Sequence, residues 1–425
     1  MKVVCVFYFS FLFFFLFYDN GTTLATQVDE NQIKSDLFAY LRETDEEKTK
    51  HLRSELLKNS FSDLRGALQT LKPSGPLRTG SFPHEKLKVG KIEQDYSLFI
   101  PQDYSHQTPQ PVVILLHGTG FTGSAYLDRW VSRFGSEFMV VCPTISMGEW
   151  WTPGAEKFIL ALIKELMLNY RLDMNRIFLG GMSSGGVGTL LIGSNHSDLF
   201  AGLFPMSGAF PKVLFPLLDN LNPTPMYLLH GSKDRVMPPK FSQGVSKYMK
   251  EKKLNVLYRE HHYEHPQAGG HFFPEEETQA LFKWLAKQTR PSLNQNLSIV
   301  HDRDHIGRNN WIRVRRVEDV ASFWASYTDR SEGEAIKAGQ FARLRGEVFG
   351  ENRLEITTER IREFEVLLSD QLVNFEKPVV IKVNGSIRFQ DIVKPDPRVF
   401  LKEAYDWPDP ARTVWAVVPI SLGSL

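Results

Sequence analysis

The sequence contains very little cysteine. Only two of its 425 residues are cysteines. Cys5 lies in an apolar stretch at the N-terminus, and Cys142 stands alone in the apolar run of residues 138–143. A single cysteine in such a run is typical of a buried strand residue, so the sequence predicts no disulfide.

The chain also lacks an excess of charge of either sign. Its 50 lysines and arginines nearly balance its 49 acidic residues, which gives a formal net charge of +1. The densest basic spot consists of Arg313, Arg315 and Arg316, lies among apolar residues and is typical of one solvated strand face. In the absence of a long basic run, the sequence argues against a nucleic-acid partner.

Long apolar runs are also scarce, apart from one at the N-terminus. Residues 3–18 are almost all apolar behind the single Lys2, and this run is shorter than the ~20 residues that a membrane-spanning helix prefers. The pattern predicts a signal peptide over residues 1–25, with cleavage before Thr26. We therefore expect a secreted or periplasmic protein with no stable membrane insertion after cleavage. An uncleaved membrane anchor is the alternative.

The rest of the chain divides into three parts. Residues 26–85 are polar with apolar residues at helical spacing, which predicts a helical segment and a linker. Residues 86–290 alternate strand and helix patterns and predict the α/β class, a mostly parallel sheet with helices on both faces. Residues 291–425 predict a small β-rich domain of short strands, in which Asn384-Gly385 is a strong hairpin signal.

One motif stands out in the α/β part. An apolar run at residues 177–179 leads through Gly180 into Gly181-Met182-Ser183-Ser184-Gly185, and small residues that can open a helix follow. This layout is typical of a nucleophile elbow, a sharp strand-to-helix turn that exposes a serine hydroxyl. Side chains two residues either side of the serine would collide with the neighbouring strand and helix. The sequence therefore predicts Ser183 as a catalytic nucleophile.

The partners of such a serine follow in the expected order. Asp234 comes after the apolar run of residues 226–229, and His271 lies in a glycine-rich loop just before a predicted helix. The order serine, aspartate, histidine is that of the α/β-hydrolase triad. The run at residues 111–116 ends in another glycine-rich turn, so the backbone N–H groups of Thr119 and Ser184 are predicted to form the oxyanion hole. Each such donor is worth ~10²–10³ in rate.

This set of residues predicts acyl transfer without a metal or other cofactor. His271 would act as the base toward Ser183, and Asp234 would orient and stabilise its imidazolium. His261, His262 and His265 form a local cluster, but their spacing suits a helical metal site poorly. Trp150 and Trp151 follow a predicted strand close to the site, where lining of the substrate pocket and buried packing both remain open.

These motifs carry a family resemblance that covers about residues 90–290. The segments concerned are His117-Gly118-Thr119-Gly120, the stretch 171–186 around Ser183, His230-Gly231-Ser232-Lys233-Asp234 and Gly270-His271. They resemble secreted esterases of the polyhydroxybutyrate-depolymerase and feruloyl-esterase type, and they are similar to the catalytic domain of prolyl-oligopeptidase-like proteins. Residues 365–385 resemble the C-terminal β domain of some bacterial hydrolases of this group.

The resemblance implies an α/β-hydrolase fold and a serine hydrolase acting on a small or oligomeric carboxylic ester. Two departures from the family patterns matter. Depolymerases and feruloyl esterases of this type usually have disulfides, which this chain lacks, and prolyl oligopeptidases proper have an N-terminal β-propeller, for which residues 26–85 are too few. A general carboxylesterase is thus the first interpretation and a prolyl-oligopeptidase-type peptidase the second. A non-catalytic hydrolase-fold binding or scaffold protein is the third. These motifs specify neither the acyl chain nor the oligomeric state.

Overall fold

The computed structural model describes residues 21–73, 75–134, 137–145, 149–303, 305–322 and 339–423, with the backbone alone for residues 21–29. Most of the predicted signal peptide, residues 1–20, lies outside this range. The internal contacts divide the chain after Leu71 into two compact units, and the boundaries expected at residues 85 and 290 stay predictions. Among the described helices, none combines the length and the apolar character needed to cross a membrane.

The first unit consists of three helices, α1 (Gly21–Arg42), α2 (Glu46–Leu56) and α3 (Phe61–Gln69). Polar side chains begin α2 and α3, since Asp45 accepts a hydrogen bond from the Lys48 N–H and Ser60 forms a reciprocal capping box with Asp63. Such caps satisfy backbone donors that the first helical turn leaves without partners. These three helices lie in the part of the chain for which the sequence predicts a helical segment.

The second unit contains an eight-stranded sheet. Its strands are β1 (Gly80–Val89), β2 (Ile92–Ile100), β3 (Gln110–Leu116), β4 (Met139–Pro143), β5 (Leu172–Met182), β6 (Gly202–Met206), β7 (Met226–Gly231) and β8 (Val256–His261). They lie in the order β1-β2-β4-β3-β5-β6-β7-β8. All pairs from β4 to β8 are parallel, whereas β1 and β2 are antiparallel additions at one edge.

Helices cover both faces of this sheet. They are α4 (Gly123–Phe134), α5 (Pro153–Asn169), α6 (Ser184–Asn195), α7 (Lys240–Glu251) and α8 (Thr278–Leu285). Along β3, Val112 and Ile114 pack into the hydrophobic cluster under α5, α6 and α7, and Val113 and Leu115 pack into the cluster under α4 and α8. This alternation is that of a strand buried on both sides. The predicted fold, a mostly parallel sheet with helices on both faces, is confirmed.

Strand β1 was not expected from the sequence, which assigned most of this stretch to a linker. The strand is an edge strand whose residues alternate between partly buried and exposed positions, and its Lys86 pairs with Glu93 of β2 at the surface. An edge strand with polar residues lacks the continuous apolar signal of the central strands, so composition alone does not reveal it.

The C-terminal part of the second unit is a two-sheet sandwich. One sheet has five strands in the order β16-β15-β13-β12-β9 and the other has four in the order β10-β11-β14-β17. Their bounds are β9 (Asn296–His301), β10 (Arg308–Asn309), β11 (Ile312–Val317), β12 (Ala342–Phe349), β13 (Arg353–Glu359), β14 (Ile361–Leu368), β15 (Val379–Val383), β16 (Ser386–Asp391) and β17 (Ala416–Ser421). One hydrophobic cluster contains side chains from both sheets. The predicted β-rich character is confirmed.

Two local predictions in the sandwich have different outcomes. Asn384 and Gly385 join β15 to β16 with φ values of 51° and 81°, as the predicted hairpin turn requires. The strand expected at residues 321–328 lies, from residue 323 onward, outside the described residues. The structure also contains a helix that the sequence did not predict, α9 (Pro397–Asp406). It is capped by Asp396, whose side chain accepts a hydrogen bond from the Arg398 N–H.

Buried polar contacts join the sandwich to the α/β part. The side-chain amide of Asn220 exchanges two hydrogen bonds with the backbone of Val300 on β9. The guanidinium of Arg290 lies 2.6 Å from the Asp409 carboxylate, and both side chains are almost fully buried. Because Val300 also packs into the cluster under α5, α6 and α7, the two parts share one interior.

The Arg290–Asp409 pair gives a first prediction. Asp409→Asn leaves a guanidinium buried without its counter-charge, which typically costs about 3–5 kcal/mol. We expect a loss of this size in the free energy of unfolding, measured by urea denaturation. Glu351→Gln, which removes the partner of Lys377 in an exposed pair, serves as the control and should cost far less. A loss no greater than that of the control would contradict a stabilising role for the buried pair.

Candidate active site

Ser183 lies at the sharp turn between β5 and α6 in an unusual backbone conformation. Its φ is 59° and its ψ is −120°, a region that residues with a side chain rarely adopt. Two backbone hydrogen bonds hold it there, one from its N–H to the Met206 carbonyl at 2.9 Å and one from the Val187 N–H to its own carbonyl at 3.1 Å. The turn therefore presents the serine side chain at the end of the strand.

The glycines around Ser183 have the steric role that the sequence predicts. A Cβ atom on Gly181 would lie 2.4 Å from the carbonyl oxygen of Gly185, and a Cβ on Gly185 would lie 2.1 Å from that of Leu116. Both distances are far below a van der Waals contact. The close approach of strand, turn and helix thus requires glycine at both positions.

Asp234 follows β7 and is surrounded by hydrogen-bond donors. Its Oδ1 accepts from the N–H groups of Val236 and Met237, both at 2.8 Å. Its Oδ2 accepts from Nδ1 of His271 at 2.8 Å. Burial raises the pKa of this carboxyl, but hydrogen bonds from His230, His271 and the Met237 backbone outweigh it and hold the pKa well below its usual range. Asp234 is therefore ionised at neutral pH.

The ionised carboxylate determines which nitrogen of His271 carries a hydrogen. A carboxylate only accepts, so Nδ1 of His271 donates to Asp234 and Nε2 of the neutral ring remains an acceptor. Strands β5 and β7 flank β6 in the parallel sheet, so Ser183 and Asp234 follow strands that end at the same edge. Between described residues, Ser183 Oγ and His271 Nε2 make no hydrogen bond. Such bonds are often long before substrate binds.

His230 is a second histidine on the same carboxylate and was not among the site residues predicted from the sequence. Its ring is fully buried, and its Nε2 lies 3.2 Å from Asp234 Oδ2 and 2.7 Å from the Met237 carbonyl. Because a carbonyl only accepts, this nitrogen donates. Its Nδ1 lies 2.6 Å from Ser242 Oγ. His230 thus positions Asp234, and the signal for it was its place four residues before the aspartate.

The loop after β3 lies against the serine. A Cβ atom on Gly118 would be 3.4 Å from the Cβ of Ser183, and the Gly118 N–H is already used in a hydrogen bond to Tyr126 Oη at 3.0 Å. The N–H groups of Thr119 and Ser184, by contrast, donate to none of the described residues. Ser184 is the first residue of α6, where helical N–H groups have no partner within the helix. These two N–H groups are thus available to an oxyanion.

Hydrogen bonds of His117 and Trp150 hold this loop in place. The Trp150 indole N–H donates to the His117 carbonyl at 2.8 Å, and the Ile145 N–H donates to His117 Nε2 at 3.1 Å. Burial lowers the pKa of His117, so its ring stays neutral. Trp150 is only 1% exposed; of the two roles left open for it, the structure supports packing. Trp151 is partly buried against the cluster under α5, α6 and α7.

The three histidines at and after the end of β8 lie in different surroundings. His261 is buried at the end of the strand, His262 Nδ1 lies 2.9 Å from Ser232 Oγ, and the backbone of His265 pairs with that of Gly269. Within the described ranges, no group of three or more histidine, cysteine, aspartate or glutamate side chains is arranged to hold a metal ion.

Comparison with known proteins finds similarity to hydrolases in this region. Residues 151–289 match the family described as Phospholipase/Carboxylesterase. The chain is 28% identical over 114 residues to poly(3-hydroxyalkanoate) depolymerase C of Paucimonas lemoignei, covering 23% of this chain and 28% of that protein. It is 26% identical over 161 residues to a bifunctional acetylxylan esterase/xylanase of Neocallimastix patriciarum, covering 36% of this chain and 23% of that protein. The resemblance expected from the motifs is confirmed.

A shorter relative and a solved structure are also similar to this chain. Acyl-protein thioesterase 1 homolog 2 of Dictyostelium discoideum is 28% identical over 171 residues, which cover 33% of this chain and 77% of that protein. A thermostable esterase structure superposes with a TM-score of 0.43 at 23% identity, covering 49% of this chain and 63% of that one. The chain spans less than a third of the length of the depolymerase and of the bifunctional enzyme.

The surroundings of Asp234 give a second prediction. A carboxyl whose folded pKa is depressed stabilises the fold fully above its unfolded pKa of about 4, and this contribution is lost as pH falls. We expect Asp234→Asn to lower the free energy of unfolding by at least about 2 kcal/mol at pH 7. The mutant and the wild type should converge as the pH falls below about 4.

Urea denaturation at pH 7, 5, 4 and 3 measures this difference. Asp128→Asn, at an exposed position of α4, is the matched control and should show little difference at any of these pH values. A destabilisation by Asp234→Asn that is the same at pH 3 as at pH 7 would contradict the ionised, hydrogen-bonded carboxylate.

Proposed function

We propose that this protein is an exported serine hydrolase that cleaves carboxylic esters through Ser183, His271 and Asp234. The observation that carries the proposal is the combination of a serine in a strained turn, with φ of 59°, and a histidine held by a buried carboxylate at 2.8 Å. A strained turn costs free energy and persists where function requires it. The same motif order is typical of hydrolase triads.

The reaction begins with attack on the ester carbonyl. His271 Nε2 takes the proton from Ser183 Oγ as that oxygen bonds to the carbonyl carbon, and the carbonyl oxygen becomes an oxyanion. The N–H groups of Thr119 and Ser184 donate to this oxyanion. The imidazolium is stabilised by Asp234, which keeps its negative charge throughout the step.

The tetrahedral intermediate then collapses. The bond to the alcohol oxygen breaks, His271 returns its proton to that oxygen, and the alcohol leaves an acyl group on Ser183. Water, deprotonated by the same histidine, attacks the acyl-enzyme and releases the carboxylic acid with regeneration of the serine. Every proton moves through His271, so the proposed reaction needs no metal or organic cofactor.

The relatives support an ester as the substrate class. Their names describe a polyhydroxyalkanoate depolymerase, an acetylxylan esterase and a protein thioesterase, and each of these reactions transfers an acyl group from oxygen or sulfur to water. A small or oligomeric carboxylic ester fits all of them. Export rests on the apolar segment of residues 3–18, with a secreted or periplasmic location.

The third prediction concerns turnover by the chain from Thr26 onward. We expect hydrolysis of p-nitrophenyl acetate and butyrate and no comparable turnover of a prolyl p-nitroanilide. Ser183→Ala and His271→Ala should each lower kcat by about 10⁴-fold or more. Ser132→Ala, at an exposed position of α4, is the control and should turn over the esters like the wild type.

The other outcomes decide between the alternatives. Amide turnover as efficient as ester turnover would favour a peptidase of the prolyl-oligopeptidase type. Equal inactivity of the wild type and Ser183→Ala on both substrates would contradict the catalytic proposal and favour a binding or scaffold protein.

A further inference from the structure

A pocket of about 460 Å³ lies between α4 and the loop that follows His271. We call it the arginine pocket and define it by six of its lining residues, Phe121, Arg129, Arg133, Tyr263, Phe272 and Phe273. Two aromatic residues at its rim are partly open to solvent, with Phe121 exposed by 38% and Tyr263 by 45%. No step of the proposed reaction uses these side chains.

One end of the arginine pocket adjoins the catalytic residues. Phe121 follows Thr119 by two residues on the loop after β3. Phe272 directly follows His271, and the ring centroids of His271 and Phe272 are 5.8 Å apart. The other end lies at the last turns of α4, where Arg129 and Arg133 are separated by about 6 Å of helix. The pocket therefore begins beside His271, the base of the proposed reaction.

Arg133 lacks a hydrogen-bonding partner for part of its guanidinium. Its Nη1 is buried and bonds to none of the described residues, and burial lowers the pKa of the side chain. The guanidinium lies over the rings of Trp130 and Phe273, at 5.1 Å and 5.2 Å from their centroids. The rings hold the group in place but accept no N–H hydrogen bond in its plane, so an acceptor for the buried donor is missing.

The acidic residues of the pocket do not supply the missing hydrogen-bond acceptor for Arg133 Nη1. Glu275 and Glu276 also line it, and Glu275 is near enough to favour the charged form of Arg133. Within the described chain, neither carboxylate forms an ion pair with a cation within 4 Å. Arg129, which is exposed and lies one turn before Arg133, likewise forms no ion pair with a described carboxylate. The pocket thus contains two arginines on one helix face without direct counter-ions.

We infer that the arginine pocket is a substrate subsite for a carboxylate carried on an aromatic or similarly flat apolar body. The inference rests on the proposed function, because the ester bond of the same molecule would lie at Ser183. Arginine binds a carboxylate through two parallel N–H bonds, and the aromatic walls pack against the apolar body. The esters preferred by this protein therefore carry a negative charge remote from the bond that is cleaved.

The test compares two probes of the same shape and different charge, 3-phenylpropionate and 3-phenylpropanamide. Binding to the full chain is measured by isothermal titration calorimetry, which does not require turnover. We expect the carboxylate to bind at least about tenfold more tightly than the amide, the factor that 1.4 kcal/mol of charge-assisted bonding gives. Raising the salt concentration should reduce this ratio.

Variants assign the preference to the pocket. Arg133→Gln should reduce the ratio of the two dissociation constants to about one, and Arg133→Lys, which keeps the charge but not the two-bond geometry, should retain part of it. Arg388→Gln, at an exposed position of β16, is the matched control and should keep the wild-type ratio. Circular dichroism verifies that each variant is folded.

Two results would overturn the subsite. One is equal binding of both probes to the wild type, and the other is an unchanged ratio in folded Arg133→Gln. If Arg133→Gln does not fold, Arg129→Gln and Arg133→Lys decide, because a ratio unchanged in both contradicts the inference. The proposed reaction is judged separately by Ser183-dependent turnover of p-nitrophenyl acetate, and the probes should also inhibit that turnover competitively.

Discussion

The buried carboxylate of Asp234 is the interaction on which the rest of the site depends. Two backbone N–H groups and two histidine rings converge on it. Its position also ties two loops together, since the Gly270 N–H donates to the Lys233 carbonyl beside it. A charge in this environment is stable only with such complete hydrogen bonding. The orientation of His271 therefore follows from the packing of both loops.

At Ser183 the energetic cost lies in the backbone conformation and not in a buried charge. A left-handed conformation at a residue with a side chain costs of order 1–3 kcal/mol, and hydrogen bonds to Met206 and Val187 hold it in place. The loop after β3 packs against it, supported by Trp150 and Tyr126. The loop, Ser183 and Asp234 each follow a buried strand of the parallel sheet, and burial of these strands offsets the free-energy cost of the local strain.

Much of the site could be predicted because it depends on short-range chemistry. The glycines around Ser183 follow from steric exclusion over a few residues, the turn at Asn384-Gly385 follows from backbone preference, and central strands are visible as continuous apolar runs. Helix α9 could have been found in the same way, since Asp396 and Pro397 form a local start signal. Strand β1 could not, because the burial of an edge strand depends on its partner.

The amino-acid sequence by itself determined the fold class, the turn at Ser183 and the order of serine, aspartate and histidine, since each is encoded in local patterns. Only the tertiary structure decided that His230 shares the Asp234 carboxylate, that Trp150 supports a loop, and that Arg133 lies buried between Trp130 and Phe273 without a hydrogen-bond acceptor for its Nη1. The physical reason is that hydrogen bonding, burial and pKa depend on atoms from segments distant in the chain. Those atoms become neighbours only when the sheet and its loops are assembled.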